Sequence, residues 1–353
     1  YNDTPSTYPS DDFYTTNIYT THSDSIYFYD PYLKTGRIPV NMAEDANAVV
    51  NKIRKYILNP TPGIWRSKIA LVADDMYRSC SFTNTDMEKS HTKYSNELYH
   101  LLNPLVPVLP FYGIDYSLSS ECTHPDLTRD LIQTINNGVA LINYIGHGDP
   151  ETWSGEQLIN KSRDLPLIHP SENRLAIWVA GTCSFGDYYS GNSFMEDLLL
   201  KEDGAIAVIA STESITVPKN HKFIELIFTE IADYIDTEAS NQMRLGELVW
   251  NAKNGDKKFH TFGDPALPLP FPKKTIQNLI INPPDTIHLV QEQNILFDIE
   301  TSYQHSSILI RENEKDYIFI KNFQHYPDMG DDIDILILNN FIGKRTASLM
   351  IVG

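Results

Sequence analysis

The chain has 353 residues, 41% of them hydrophobic and 21% charged, with a formal net charge of −18 at pH 7. That composition fits a globular protein with one large core and a second, smaller domain. The acidic balance excludes nucleic acid as a partner, because phosphate binding needs a Lys/Arg surplus, and no run reaches the roughly 18 apolar residues of a membrane span.

The opening stretch YNDTPSTYPSDD lacks the basic and apolar regions of a signal peptide, and no Met starts the chain, so a piece of a longer or processed protein is expected. From Ala43 to Leu58 apolar residues recur at helical spacing through Ala46, Val49, Val50, Ile53 and Ile57, and NPTPG closes the helix. SKIALVADD is a short apolar run that delivers Asp74 and Asp75 to its end. Residues 86–102 are helical up to Asn103-Pro104, and LVPVLPFYG is a short strand interrupted by proline. TRDLIQTINNG is a helix stopped at Gly138, and VALINYIGHG is a strand ending at His147.

RLAIWVAGT follows as a strand that ends just before Cys183, then the helix NSFMEDLLLKEDG, the strand AIAVIAST and a long helix from about Lys222 to Tyr234. Strands that are apolar on both faces and alternate with helices specify an α/β fold, a mostly parallel sheet with helices on both faces. Ligands bind such sheets at the carboxyl ends of the strands, which singles out Asp74-Asp75, His147 and Cys183. From Pro265 to Pro272 prolines cluster, and residues 273–353 carry short β-type runs at close intervals. That pattern fits a small antiparallel sandwich after a first domain over 1–272.

A thiol attacks a carbonyl as thiolate and needs a nearby base and donors for the developing oxyanion. Strands ending at His147 and Cys183 could supply the base and the nucleophile at one sheet edge. Gly146 and Gly148 permit tight turning, and the N–H groups of Gly148 and Cys183 are the candidate oxyanion donors. Set against this, an arbitrary free cysteine is more often a small buried hydrophobe. Three cysteines leave at least one unpaired; if Cys80 and Cys122 pair, Cys183 is the free thiol. Zn²⁺ ligation is the chemical rival, yet no Cys-x-x-Cys or His-Glu-x-x-His spacing occurs, and no glycine-rich phosphate loop or Gly-x-Ser-x-Gly elbow is present. Acidic loops could hold a structural Ca²⁺, no cofactor is required, and Trp153 in the loop after His147 either lines a subsite or packs.

NYIGHGDPETW resembles the histidine motif of gingipain-type cysteine peptidases, family C25, and VAGTCSFGDY resembles their cysteine motif. AVIAST, TFGDPALPL and GRIPVNMAEDANAVVNKIRKYI agree in the right order, so that the resemblance spans roughly residues 1–272. It implies a caspase-like fold followed by an immunoglobulin-like domain, with His147 as base and acid and Cys183 as nucleophile. It also implies an acid assisting the histidine, Asp75 in preference to Asp74. Arginine-specific members place an acid in the P1 pocket within a segment matching DMEKSHTKY, which nominates Glu88 and, second, Asp86. Where those enzymes carry a pocket tryptophan, this chain has ESITVP, with Val217 near the position. The type IX secretion surface peptidase, which transfers cargo as well as cleaving it, shares the same motifs. The resemblance therefore implies a polypeptide substrate, secretion-system components as partners, and a location outside the bacterial cytoplasm. The alternative is an inactive surface or assembly module that retains the fold.

Overall fold

The computed structural model describes residues 9–271 apart from 16–18, 23–24, 29–32, 62, 79, 192, 238–241 and 254–257, and beyond 271 the backbone of six strands between 277 and 352. Contacts divide the chain into two compact units, residues 1–61 with 68–270 and residues 62–67 with 271–353.

A six-stranded sheet organises the first unit. Its strands are β1 (Ile69–Ala73), β2 (Val108–Tyr112), β3 (Leu141–Ile145), β4 (Ile177–Gly181), β5 (Ala207–Ser211) and β6 (Phe259–Phe262), in the order β6-β5-β4-β3-β1-β2. All neighbours are parallel except β6, which pairs antiparallel with β5. Every residue of β1, β3, β4 and β5 is buried, as expected of strands covered on both faces. Pro110 is tolerated in β2 because β2 is an edge strand, where a missing N–H disrupts no inner ladder.

The helices α1 (Ala43–Leu58), α2 (Asp86–Leu102), α3 (Pro125–Asn137), α4 (Phe194–Leu200), α5 (Val217–Asp236) and α6 (Leu245–Lys253) cover this sheet. Sequence signals fix their ends. Thr85 caps α2, Gly138 ends α3 with φ 95, and Ser193 with Glu196 closes a capping box on α4. The helix expected from Lys222 begins five residues earlier, with Pro218 in its first turn, where a proline needs no N–H partner. Lys52 on α1 is buried and donates to the carbonyls of Leu199, Lys201 and Ala205 at the end of α4, and burial lowers its ammonium to about 8. None of the described helices is long and apolar enough to cross a membrane.

In the second unit β7 (Gln277–Asn282), β8 (Gln293–Glu300) and β11 (Asp331–Ile337) form one antiparallel sheet in the order β7-β8-β11. The strands β9 (His305–Glu312), β10 (Tyr317–Gln324) and β12 (Ala347–Val352) form another, in the order β10-β9-β12. The connections that would define an immunoglobulin-like topology, and the expected boundary at residue 272, lie outside the described residues.

Cys80 and Cys122 form a disulfide across 42 positions, and Cys183 is the free cysteine. The bridge ties the hairpin at Tyr77–Phe82 to the loop that leads into α3. Closing a loop of that length corresponds to about 4 kcal/mol of chain entropy. Replacing Cys80 and Cys122 together by serine is expected to lower stability in denaturant unfolding by about that amount.

Candidate active site

The register of the sheet brings the candidate residues together. Ala73 pairs with Ile145, and Ile145 pairs with Gly181. Asp75, His147 and Cys183 therefore leave three adjacent parallel strands at matching positions, each two residues beyond a paired residue. The ladder continues past the strand ends, with Asp74 N–H donating to Ile145 at 3.0 Å and Gly146 N–H to Gly181 at 3.3 Å.

Side chains then part from what register alone suggests. Asp74 accepts the His147 backbone N–H at 2.9 Å on one oxygen and the Asp75 N–H at 3.0 Å on the other. Burial holds its carboxyl well above the ordinary carboxylate range, against the opposing pull of the His147 N–H. Asp75 turns away to His124, 2.8 Å from its Nε2, so the acid expected beside the His147 imidazole serves another histidine. Glu88 takes that place. Its Oε2 lies 3.1 Å from His147 Nε2, while Oε1 accepts from Arg78 Nε at 2.7 Å.

This corrects the sequence expectation that Glu88 lines a P1 pocket. Glu88 is 0% exposed, with Oε1 held by Arg78 and Oε2 facing His147, so it does not face a cleft open to a substrate side chain. Asp86, the second candidate, is exposed on the first turn of α2. Of the two readings of Trp153, lining a subsite is the one the structure contradicts, and packing is the one it bears out. The side chain is fully buried, stacked on Tyr144 at 4.5 Å and packed against Trp178 and Phe185, which makes it core.

The two glycines that flank His147 are required by crowding. Neither has positive φ. A Cβ on Gly146 would stand 2.3 Å from the Tyr144 hydroxyl and 2.5 Å from Asp74, and one on Gly148 would stand 2.6 Å from Thr182 Oγ1. The Tyr144 hydroxyl also donates to the His147 carbonyl at 2.6 Å, so the backbone of His147 is held from both sides. Gly148 bridges to Trp153 across a hairpin whose bonds are carried by Asp149 and Ser154, and its own N–H points outside that pair.

Cys183 is half-buried, and its sulfur accepts the Ile215 N–H at 3.4 Å. Ser184 follows with φ 53, a left-handed conformation uncommon for serine, and the turn is pinned by Ser184 N–H to Glu213 and Gly186 N–H to Ser211. Val217 starts α5, two residues beyond the Ile215 that touches the sulfur, and is half-buried. His147 remains 37% exposed.

Two groups of side chains have ligand atoms within 4.8 Å of one another: Glu88, His91 and His147, and Asp74, Asp75 and Glu156. The second group fits poorly to the expected Ca²⁺, which takes roughly six to eight oxygens. Its carboxylates already accept from His147, Asp75, Tyr77, His124 and Ser154, with only Glu156 Oε1 unpartnered.

The model of peptidase family C25 matches residues 1–270, and the chain belongs to that family. Gingipain R2 and gingipain R1 of Porphyromonas gingivalis are each 25% identical over 264 residues, 66% of this chain. The match spans only 32% and 24% of those relatives' lengths. The crystal structure of the Arg-specific cysteine proteinase gingipain R superimposes with a TM-score of 0.59 at 19% identity, covering 98% of this chain and 76% of that one. The structure of a protease superimposes with a TM-score of 0.52 at 14% identity, covering 97% of this chain and 78% of that one. The fold is accordingly the caspase-like fold of gingipains.

Two measurements test the site's construction. Gly146→Ala is expected to destabilise the protein by at least about 2 kcal/mol in denaturant unfolding, since the new methyl overlaps Tyr144 and Asp74. His91, 2% exposed, faces Glu88, His147 and Arg78, and burial pushes its imidazole down to about 4. The unfolded chain, titrating near 6.5, binds that proton first as pH falls, so native stability drops between about pH 6.5 and about 4. The wild type is expected to lose about 3 kcal/mol more than His91→Gln over this window.

Proposed function

We propose that the protein is a cysteine peptidase that cleaves polypeptides through Cys183 and His147. The observation that carries this reading is the placement of the two residues at matching positions beyond the paired strands β3 and β4, with the imidazole braced by a buried carboxylate. A carboxylate accepts only, so Glu88 holds the proton of His147 on Nε2 and leaves the lone pair on Nδ1. Nδ1 then takes the thiol proton as Cys183 Sγ bonds to the substrate carbonyl carbon.

The N–H groups of Gly148 and Cys183 are the proposed donors to the oxyanion. As the tetrahedral intermediate collapses, the imidazolium gives its proton to the leaving nitrogen and the C–N bond breaks, which leaves a thioester on Cys183. Water or an acceptor amine, deprotonated by His147, attacks the thioester and the sulfur leaves as thiol. Transfer and hydrolysis differ only in that acceptor. We favour a role outside the bacterial cytoplasm, where a disulfide beside the site persists, and Val217 as a wall of the P1 site.

An electrophilic peptide probe is expected to label wild-type protein on Cys183 and leave Cys183→Ala unlabelled; labelling that survives the substitution rejects the assignment. His147→Ala and Glu88→Gln are expected to lower kcat/KM by roughly 10³-fold and roughly 10²-fold, respectively, with the fold retained by circular dichroism. Mass spectrometry of products formed with an amine acceptor present separates the two chemistries: an amide to the acceptor means transfer, and free acid alone means hydrolysis.

A further inference from the structure

We propose that Glu88, His91 and His147 form a binding site for a divalent transition-metal cation of the Zn²⁺ type, and that an ion held there switches the imidazole of His147 off. The second half of this statement rests on the Cys183–His147 reading; the binding itself does not.

His91 carries the argument. Both of its ring nitrogens lack a hydrogen-bond partner among the described residues, although the side chain is 2% exposed. A buried polar group normally has a partner, and leaving one unmade costs about 1–3 kcal/mol. Glu88 and His91 are three residues apart on α2 and share one helix face. Their closest approach, His91 Nε2 to Glu88 Oε2, is 3.7 Å, too long for a hydrogen bond. The His147 ring meets the His91 ring edge to face, with centroids 5.2 Å apart.

Those separations suit a shared cation. Zn²⁺ binds nitrogen and oxygen at about 2.0–2.1 Å, so ligands of a tetrahedral ion stand about 3.4 Å apart. Glu88 Oε2 is 3.1 Å from His147 Nε2 and 3.7 Å from His91 Nε2, on either side of that edge length. Two imidazoles with one carboxylate favour zinc-type ions over Ca²⁺ or Mg²⁺. Arg78 does not close the site, because its Nε occupies Oε1 and leaves Oε2 toward the two histidines, and its side chain is 50% exposed. Neither ring nitrogen of His91 is engaged by a protein partner among the described residues, which leaves one free to ligate. With His147 37% exposed, an ion can enter from solvent.

The consequence for chemistry follows from the proton. An ion on His147 Nε2 displaces the proton that Glu88 holds there, and neutral imidazole can keep it only on Nδ1. Nδ1 then has no lone pair for the Cys183 thiol. No proton is released and no bond to sulfur is needed.

The test titrates metal-stripped full-length protein with Zn²⁺ by calorimetry and follows peptide turnover in parallel. One ion per chain is expected, with turnover falling as the site fills. His91→Gln and His91→Phe, one polar and one apolar replacement, are both expected to weaken binding and inhibition by at least about tenfold while metal-free turnover stays within about threefold. Cys183→Ala is expected to bind Zn²⁺ as the wild type does. Unchanged Zn²⁺ affinity in both His91 variants overturns the proposal, as does loss of binding in Cys183→Ala, which would place the ion on sulfur. If the metal-free protein turns over no peptide, the peptidase reading fails, while calorimetry still decides the site.

Discussion

The parallel register between β3 and β4 is the constraint on which the rest of the site depends. Pairing Ile145 with Gly181 places His147 and Cys183 equally far beyond the sheet. A slip of one residue would turn every side chain of a strand to the other face. Because all five residues of each strand are buried, such a slip would place the wrong side chains against both helical layers. The core therefore enforces the spacing of the proposed dyad. The same register extends to β1, which is why three strand ends meet at one edge.

A layer of buried polar groups beneath that edge fixes how His147 is presented. Its backbone is held by Asp74 and Tyr144, and its ring is held by Glu88. In a low-dielectric setting each of these bonds is stronger than in water, and each unpaired group costs more. The imidazole is consequently fixed at Nε2, while the side chain as a whole stays 37% exposed. Arg78 gives the fully buried Glu88 the partner that a buried charge requires, and the Cys80–Cys122 bridge anchors the hairpin that carries Arg78. Within this layer His91 alone has two unpaired nitrogens on one ring.

Much of the fold was legible in the chain. Runs apolar on both faces announced β1, β3, β4 and β5, and Gly138 and Asn103-Pro104 marked helix ends where they fall. The antiparallel β6 was less visible, because Phe259–Phe262 is only four residues long and stands among turn signals. Glu88 was nominated only as a pocket acid, and its pairing with His147 was hidden for a specific reason. Thr85-Asp86-Met87-Glu88 has the spacing of a capping box, in which the glutamate folds back onto its own helix. Thr85 does cap the Glu88 N–H, yet the carboxylate leaves the helix for Arg78 and His147. Trp153 stayed open between subsite and core, since a tryptophan in a loop after a histidine fits either until its stacking on Tyr144 is known.

By itself the sequence determined the alternation of strands and helices and the strand ends that carry His147 and Cys183. Periodicity and backbone sterics act over a few residues, so the chain records them locally. Only the tertiary structure decided which acid serves which histidine, Glu88 for His147 and Asp75 for His124, and that Trp153 belongs to the core. Those pairings join residues 49 and 59 positions apart and depend on where α2 and α3 dock against the sheet edge. Partners across such distances are chosen by the packing of whole elements, which no local pattern encodes.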